Sequence, residues 1–339
     1  MFDFLNINYN NPWNIVVFIF LLILGAFVLI KCCNIFLDSA CVIAEKFGIS
    51  KVIIGLTVVA IGTSIPELTV SLVDSFSSAI DNSASNIGFA NIVGSNISNI
   101  LLVLSFGCIF TPIIIKKENK NNYFIMLALT MLLTVLVLFF GNNYELLRWE
   151  GVVLSLCIIM YIIYLVRGAK TQSITFQSET EHERTYKLII KTVACIIGIA
   201  MGGSMVVYGA KGMAYNISYA LGIDNGLMES LIGLTIVGVG TSLPELVTVL
   251  ISSKKGENEI ALGNVIGSNI FNIIFVVGLS VTIAPIKIAE YVIIDIFILV
   301  FVTLFILPFI IKGYLNRKHS ILFISMYIAY MIFLILRML

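Results

Sequence analysis

Apolar side chains run in blocks of about twenty or more residues, each closed by a short polar stretch. The blocks fall at 14–45, 52–77, 86–111, 122–141, 149–167, 188–221, 229–252, 260–284, 289–311 and 320–337. Each is near or above the roughly 20 residues that span a bilayer's hydrocarbon core. Ten transmembrane helices are predicted, and an all-α integral membrane fold. Composition agrees: 59% of the 339 residues are hydrophobic and 12% charged, far from the balance of a water-soluble domain.

The net charge of +1 says little about partners, and nothing points to nucleic acid. The placement of basic residues says more. With the N-terminus outside, the inner loops hold Lys46, Lys51, Lys116, Lys117, Lys120, Arg167, Lys170, Arg184, Lys187, Lys191, Lys254, Lys255, Lys312, Arg317 and Lys318. The outer segments hold Arg148, Lys287 and Arg337. Both termini are therefore expected outside, in a plasma membrane, with Trp13 and Trp149 at outer boundaries. The first block lacks a basic leader and reads as a retained span. Six cysteines scattered through the spans show no CxxC spacing and read as small apolar residues. His182 and His319 fall in inner loops and read as solvated.

Internal repetition organises the rest. "IGLTVVAIGTSIPELTVSL" from Ile54 and "IGLTIVGVGTSLPELVTVL" from Ile232 agree at 12 of 19 positions. "NIVGSNISN" from Asn91 matches "NVIGSNIFN" from Asn264, and Pro112 and Pro285 each lie 13 residues past the last motif asparagine. The chain divides into a five-helix repeat (1–167), a polar cytoplasmic linker (168–187) and a second five-helix repeat (188–339). An odd number of spans separates the copies, so they enter the membrane in opposite directions. Inverted repeats of this kind characterise secondary transporters with a site near the midplane.

Each copy places a proline and a carboxylate inside an apolar run, where both are expensive. Pro66 and Pro244 have no N–H, which leaves the carbonyls of Gly62 and Gly240 without helical partners and open to a hard cation. Thr63, Ser64, Thr241 and Ser242 add hydroxyls. Glu67 and Glu245, one from each half, supply two negative charges, enough to balance one divalent ion. Ser95, Asn99, Ser268 and Asn272 offer neutral oxygens, with Gly94 and Gly267 allowing backbone adjustment. An oxygen-only set favours Ca²⁺, Mg²⁺, Mn²⁺ or Na⁺ over zinc or copper. Asn96 and Asn269 fit a bond between helices as well as an ion contact and are left outside the ligand set. A protonated packing glutamate explains one such motif; two copies with the same flanks favour function.

These motifs resemble the two alpha repeats of the sodium/calcium exchanger family within the Ca²⁺/cation antiporter superfamily, especially its prokaryotic ten-helix members. The resemblance implies Ca²⁺/Na⁺ antiport by alternating access, with no cofactor and with the two ions and the bilayer as partners. It implies that Glu67 and Glu245 ligate Ca²⁺ with the carbonyls of Thr63 and Thr241. It also implies that Ser64, Ser242, Ser95, Ser268, Ala60 and Gly238 help form Na⁺ sites, with Asn99 near the centre. Many members carry aspartate where this chain has Asn272, which opens the question of H⁺ coupling and stoichiometry. Ala90 likewise stands opposite Gly263 of the other repeat. A proton-coupled divalent exchanger is the nearest alternative. A channel and an intramembrane hydrolase are further ones, the last without an HExxH signature. Asp74, seven residues beyond Glu67, reads equally as a cation guide or an interfacial residue. Lys31, Asp38 and Lys211 have no repeat counterpart and receive no transport role.

Overall fold

The computed structural model describes residues 14–81, 87–140, 144–169, 185–221 and 238–338. Helices account for nearly all of it, as hydrocarbon demands: every backbone N–H and C=O must be paired within the protein. In chain order they are α1 (Asn14–Phe47), α2 (Lys51–Thr63), α3 (Ile65–Asp81), α4 (Gly88–Phe110), α5 (Lys117–Phe139), α6 (Arg148–Ala169) and α7 (Thr185–Leu221). They continue as α8 (Gly238–Thr241), α9 (Leu243–Lys254), α10 (Asn258–Ile283), α11 (Glu290–Lys312) and α12 (Arg317–Met338).

Eight helices are long and apolar enough to cross a membrane, and the bent pair α2/α3 makes up to nine among the described residues. The expected span at 229–252 is described only from Gly238 onward, as α8 and α9, so the described residues do not themselves count ten. Trp13, His182, the turn at 82–86, most of the linker and the start of the second motif lie outside the described residues.

Two layers emerge from burial. In α4 and α10 78% of the most apolar window is buried, against 17% in α1 and 28% in α6. The motif helices α4 and α10 therefore form the centre, with Ile97, Ile100, Leu101, Ile270, Ile273 and Ile274 packed into one core. The long helices α1 and α7 lie against each other. A Cβ on Gly25 would come within 2.7 Å of the Met205 Cβ, and one on Gly202 within 2.7 Å of the Leu29 backbone nitrogen. Small residues let the two backbones approach closely, the usual means of helix association where lipid removes the hydrophobic drive.

Four two-residue strands tie the repeats together: β1 (Ile113–Ile114), β2 (Glu145–Leu146), β3 (Ile286–Lys287) and β4 (Tyr314–Leu315). β1 pairs antiparallel with β4, and β2 with β3. β3 begins 173 residues after β1, the interval that also separates Asn99 from Asn272. Each sheet thus joins a strand of one half to a strand of the other. The two repeats are interlocked at both ends of the bundle, which holds the central motifs in register.

Candidate functional site

The two helix breaks have nearly the same geometry. Between α2 and α3 the chain turns by 48° at Ser64, whose φ and ψ are −86° and 11°. Between α8 and α9 it turns at Ser242, with φ −83° and ψ 2°. Pro66 and Pro244 lie in the first turn of α3 and α9, where a missing N–H costs nothing. The proline starts the second half-helix and denies a partner to the end of the first. Glu67 and Glu245 then occupy the first turn of α3 and α9, at the positive end of each half-helix dipole. Both are fully buried.

Hydroxyls surround the carboxylates. Ser95 Oγ on α4 donates to Glu67 Oε1 at 2.9 Å. Ser64 Oγ donates across the repeats to Glu245 Oε1 at 3.0 Å. Ser242 Oγ reaches Ser95 Oγ at 3.3 Å, also across the repeats. Ser268 Oγ on α10 donates to the Ala60 carbonyl at 3.4 Å and stands 3.5 Å from Thr63 Oγ1. Hydroxyls of both halves therefore bond across the repeats around the two buried glutamates. Among the described residues Glu67 Oε2 and Glu245 Oε2 have no hydrogen-bond partner. No third acid, histidine or cysteine joins the glutamates as a metal-holding group among the described residues. Among the described residues the donors are two carboxylates and neutral oxygens, which suits hard cations.

The last motif asparagines mark a change of helical winding. Asn99 opens a π-helical segment, Asn99–Val103, and Asn272 opens another, Asn272–Val277. Such wide turns concentrate at functional sites. Both asparagines are fully buried, but their contacts differ: Asn272 Nδ2 donates to Asn96 Oδ1 at 3.0 Å, while neither amide atom of Asn99 has a partner among the described residues. Asn96 Nδ2 donates to the Asn269 carbonyl at 3.4 Å, and Asn269 Nδ2 to the Val265 carbonyl at 2.7 Å. Asn96 thus bridges helices, and Asn269 bonds within its own. Gly238 begins α8.

Two further residues that motif reading passed over also bond across the repeats. Thr63 Oγ1 hydrogen-bonds to Asn264 Oδ1 at 3.1 Å, and Thr241 Oγ1 to Asn91 Oδ1 at 3.2 Å. The available signal was their position: each opens the second matched segment of its repeat.

Peripheral charges have structural work. Asp74 Oδ2 accepts the Gly88 N–H at 2.9 Å and so caps the start of α4. Asp38 on α1 pairs with Lys255 at 2.6 Å. At the same end Lys51 pairs with Glu257 at 2.7 Å, and Lys116 with Glu259.

Two interlocked halves, each with a broken helix carrying a buried glutamate to a shared oxygen-lined centre, define a secondary transporter for cations. Comparison with known proteins makes the assignment specific. The family profile described as "Sodium/calcium exchanger protein" matches residues 17–167 and 188–336, and the chain belongs to that family. Sodium/calcium exchanger MaX1 of Methanosarcina acetivorans is 31% identical over 359 residues, covering 93% of this chain and 97% of the relative. Inner membrane protein YrbG of Escherichia coli is 31% identical over 271 residues, 78% and 79% of the two chains. Among solved structures, the sodium-calcium exchanger NCX_Mj in crystals soaked with Na⁺ and Sr²⁺ superposes with a TM-score of 0.75 at 30% identity, covering 93% of this chain and 97% of that one.

Proposed function

We propose that this chain exchanges Ca²⁺ for Na⁺ across the membrane by alternating access, with Glu67 and Glu245 as the shared carboxylate ligands. One observation carries the reading: the two fully buried glutamates come from opposite repeats, and Ser64 at the first repeat's break donates to Glu245 of the second. The Thr63 and Thr241 carbonyls complete the Ca²⁺ site. Ser64, Ser95, Ser242, Ser268, the backbone of Ala60 and Gly238, and the Asn99 and Asn272 amides serve Na⁺ in the same space. Two carboxylates balance one Ca²⁺ in a low-dielectric centre, so Ca²⁺ and Na⁺ compete for the same charge. That competition couples the fluxes without any covalent step, and the chain is a transporter and not an enzyme.

Residues 1–167 and 188–339 act as the two inverted halves, with 168–187 as the linker. Both termini face outside at the plasma membrane, a placement supported by the excess of lysine and arginine in alternate loops. A C-terminal tag reached from outside in intact cells is the expected result.

The central test is ⁴⁵Ca²⁺ uptake into proteoliposomes with Na⁺, K⁺ or H⁺ gradients imposed in turn. Uptake driven by an outward Na⁺ gradient alone is expected. Uptake driven by H⁺ instead would establish the proton-coupled reading, and Ca²⁺ flux needing no counter-ion would establish a channel.

A further inference from the structure

The crossed threonine–asparagine bonds assign a role to two residues outside the ligand set. Thr63 on α2 meets Asn264 on α10, and Thr241 on α8 meets Asn91 on α4, so each pair joins opposite repeats. Thr63 and Asn264 are both fully buried. Asn91 Nδ2 and Asn264 Nδ2 have no partner among the described residues when the oxygen faces the hydroxyl.

Proton counting resolves the orientation at Thr63. Its hydroxyl has one proton but stands 3.1 Å from the Val59 carbonyl, 3.3 Å from the Ala60 carbonyl, 3.1 Å from Asn264 Oδ1 and 3.5 Å from Ser268 Oγ, with the Glu245 carboxylate also in reach. An asparagine amide has nearly the same shape with its ends exchanged. Turned about, Asn264 Nδ2 donates to Thr63 Oγ1, and the threonine proton is free for a backbone carbonyl or the Glu245 carboxylate. The previously unpartnered nitrogen becomes the donor, and the exposed lone pairs fall on an amide oxygen, which tolerates under-satisfaction better than an N–H does.

We infer that Asn91 and Asn264 are positioning residues, each donating its amide N–H to the threonine of the opposite repeat and thereby holding that threonine's carbonyl toward the ion. The inference rests on the proposed reading in which those carbonyls are Ca²⁺ ligands. It also gives the inverted halves a direct link: a movement of α10 or α4 alters the ligand geometry on the other repeat's broken helix.

The test is a double-mutant cycle read in ⁴⁵Ca²⁺ exchange by reconstituted full-length protein, with folding checked by size-exclusion chromatography. Asn264→Ala is expected to raise the half-saturating Ca²⁺ concentration by about threefold to tenfold, the worth of one net hydrogen bond. In a Thr63→Val background, where the hydroxyl is gone, Asn264→Ala should add less than about twofold. In Thr63→Ser and Thr241→Val backgrounds its full cost should return. Asn91→Ala should show the mirror pattern, silenced by Thr241→Val only. Equal costs for Asn264→Ala in all backgrounds would reduce the amide to packing and overturn the inference, as would coupling to Thr241 in place of Thr63. If Asn264→Ala is not recovered folded, Asn264→Ser carries the same cycle. Wild-type protein without Na⁺-dependent exchange would refute the functional reading; wild-type exchange with additive costs refutes the positioning role.

Discussion

Glu67 and Glu245 hold equivalent places at the starts of α3 and α9, yet the serines that donate to them, Ser95 and Ser64, both belong to the first repeat. Of the matching serines of the second repeat, Ser242 bonds to Ser95, and Ser268 divides itself between the Ala60 carbonyl and the neighbourhood of Glu245. A Cβ on Gly267 would meet the Leu56 carbonyl and the Ala60 Cβ at 2.7 Å; Leu234, the repeat counterpart of Leu56, lies outside the described residues. Two near-copies thus occupy unlike surroundings. A single conformation of an inverted pair cannot treat both halves alike, since the path that closes on one side is related by the repeat to one that opens on the other. The inequality belongs to the conformation, and the equality to the sequence.

Charge should obey the equality. Glu67→Gln and Glu245→Gln are each expected to reduce ⁴⁵Ca²⁺ exchange by more than about 100-fold in protein that still folds, because one carboxylate leaves a dehydrated divalent ion half compensated. Near-normal flux in either variant would break the idea of one shared site.

Hydrogen bonding should obey the inequality. Ser64→Ala and Ser95→Ala each remove a partner of a carboxylate and are expected to weaken Ca²⁺ binding by about 10- to 100-fold, the range for charged hydrogen bonds. Ser242→Ala removes a neutral bond and should cost about twofold to tenfold, with Ser268→Ala, whose hydroxyl is shared between the Ala60 carbonyl and Glu245, falling between the two groups. Calorimetric titration of purified protein with Ca²⁺ in Na⁺-free buffer measures all four. Equal losses would show that the unlike bonding does not persist in solution.

The glycine pair sharpens the comparison through stability. Gly267→Ala forces α10 away from α2 and is expected to destabilise by about 1–3 kcal/mol, as overpacking does. Gly94→Ala meets no atom within 4 Å among the described residues and is expected to cost less than Gly267→Ala, with up to about 1 kcal/mol of helix preference in its favour. Thermal unfolding followed by tryptophan fluorescence distinguishes them.

Much of this was legible in the chain itself. The apolar blocks locate the helices, since hydrocarbon thickness fixes their length. The paired "GTSIPE" and "GTSLPE" locate the breaks, because proline acts through covalent structure and needs no tertiary context. The family membership implied by those motifs holds, and the motif serines bond across the breaks: Ser95 to Glu67, Ser64 to Glu245 and Ser242 to Ser95. Other features depend on packing and leave little local trace. The β1–β4 and β2–β3 pairs involve two residues a strand, too few for any periodicity to register. The π-helical turns at Asn99 and Asn272 carry no local sequence mark, and the Thr63–Asn264 bond forms only where opposite repeats meet. Asp74 reads two ways from sequence, and its bond from the Gly88 N–H is a contact between elements that the sequence does not mark.

The mildest effect is expected at the last pair, Asn99 and Asn272, where sequence equality and unequal bonding meet in one residue type. Asn272 Nδ2 donates to Asn96 Oδ1, so the group at 272 must offer a hydrogen. An ionised aspartate there accepts only and would set oxygen against oxygen; a protonated one donates and reproduces the amide. Asn272→Asp is therefore expected to exchange Ca²⁺ much like wild type at low pH and to fall by about threefold as pH rises and the donor is lost, the worth of one net hydrogen bond. Asn99 has no such partner among the described residues, so Asn99→Asp loses no bond on ionisation and should not share that decline. Exchange rates of both variants relative to wild type, measured between pH 6 and pH 9, decide the point. A flat profile for Asn272→Asp would show that Asn96 turns its own amide to donate, and would remove the bond at 272 as a source of asymmetry between the repeats.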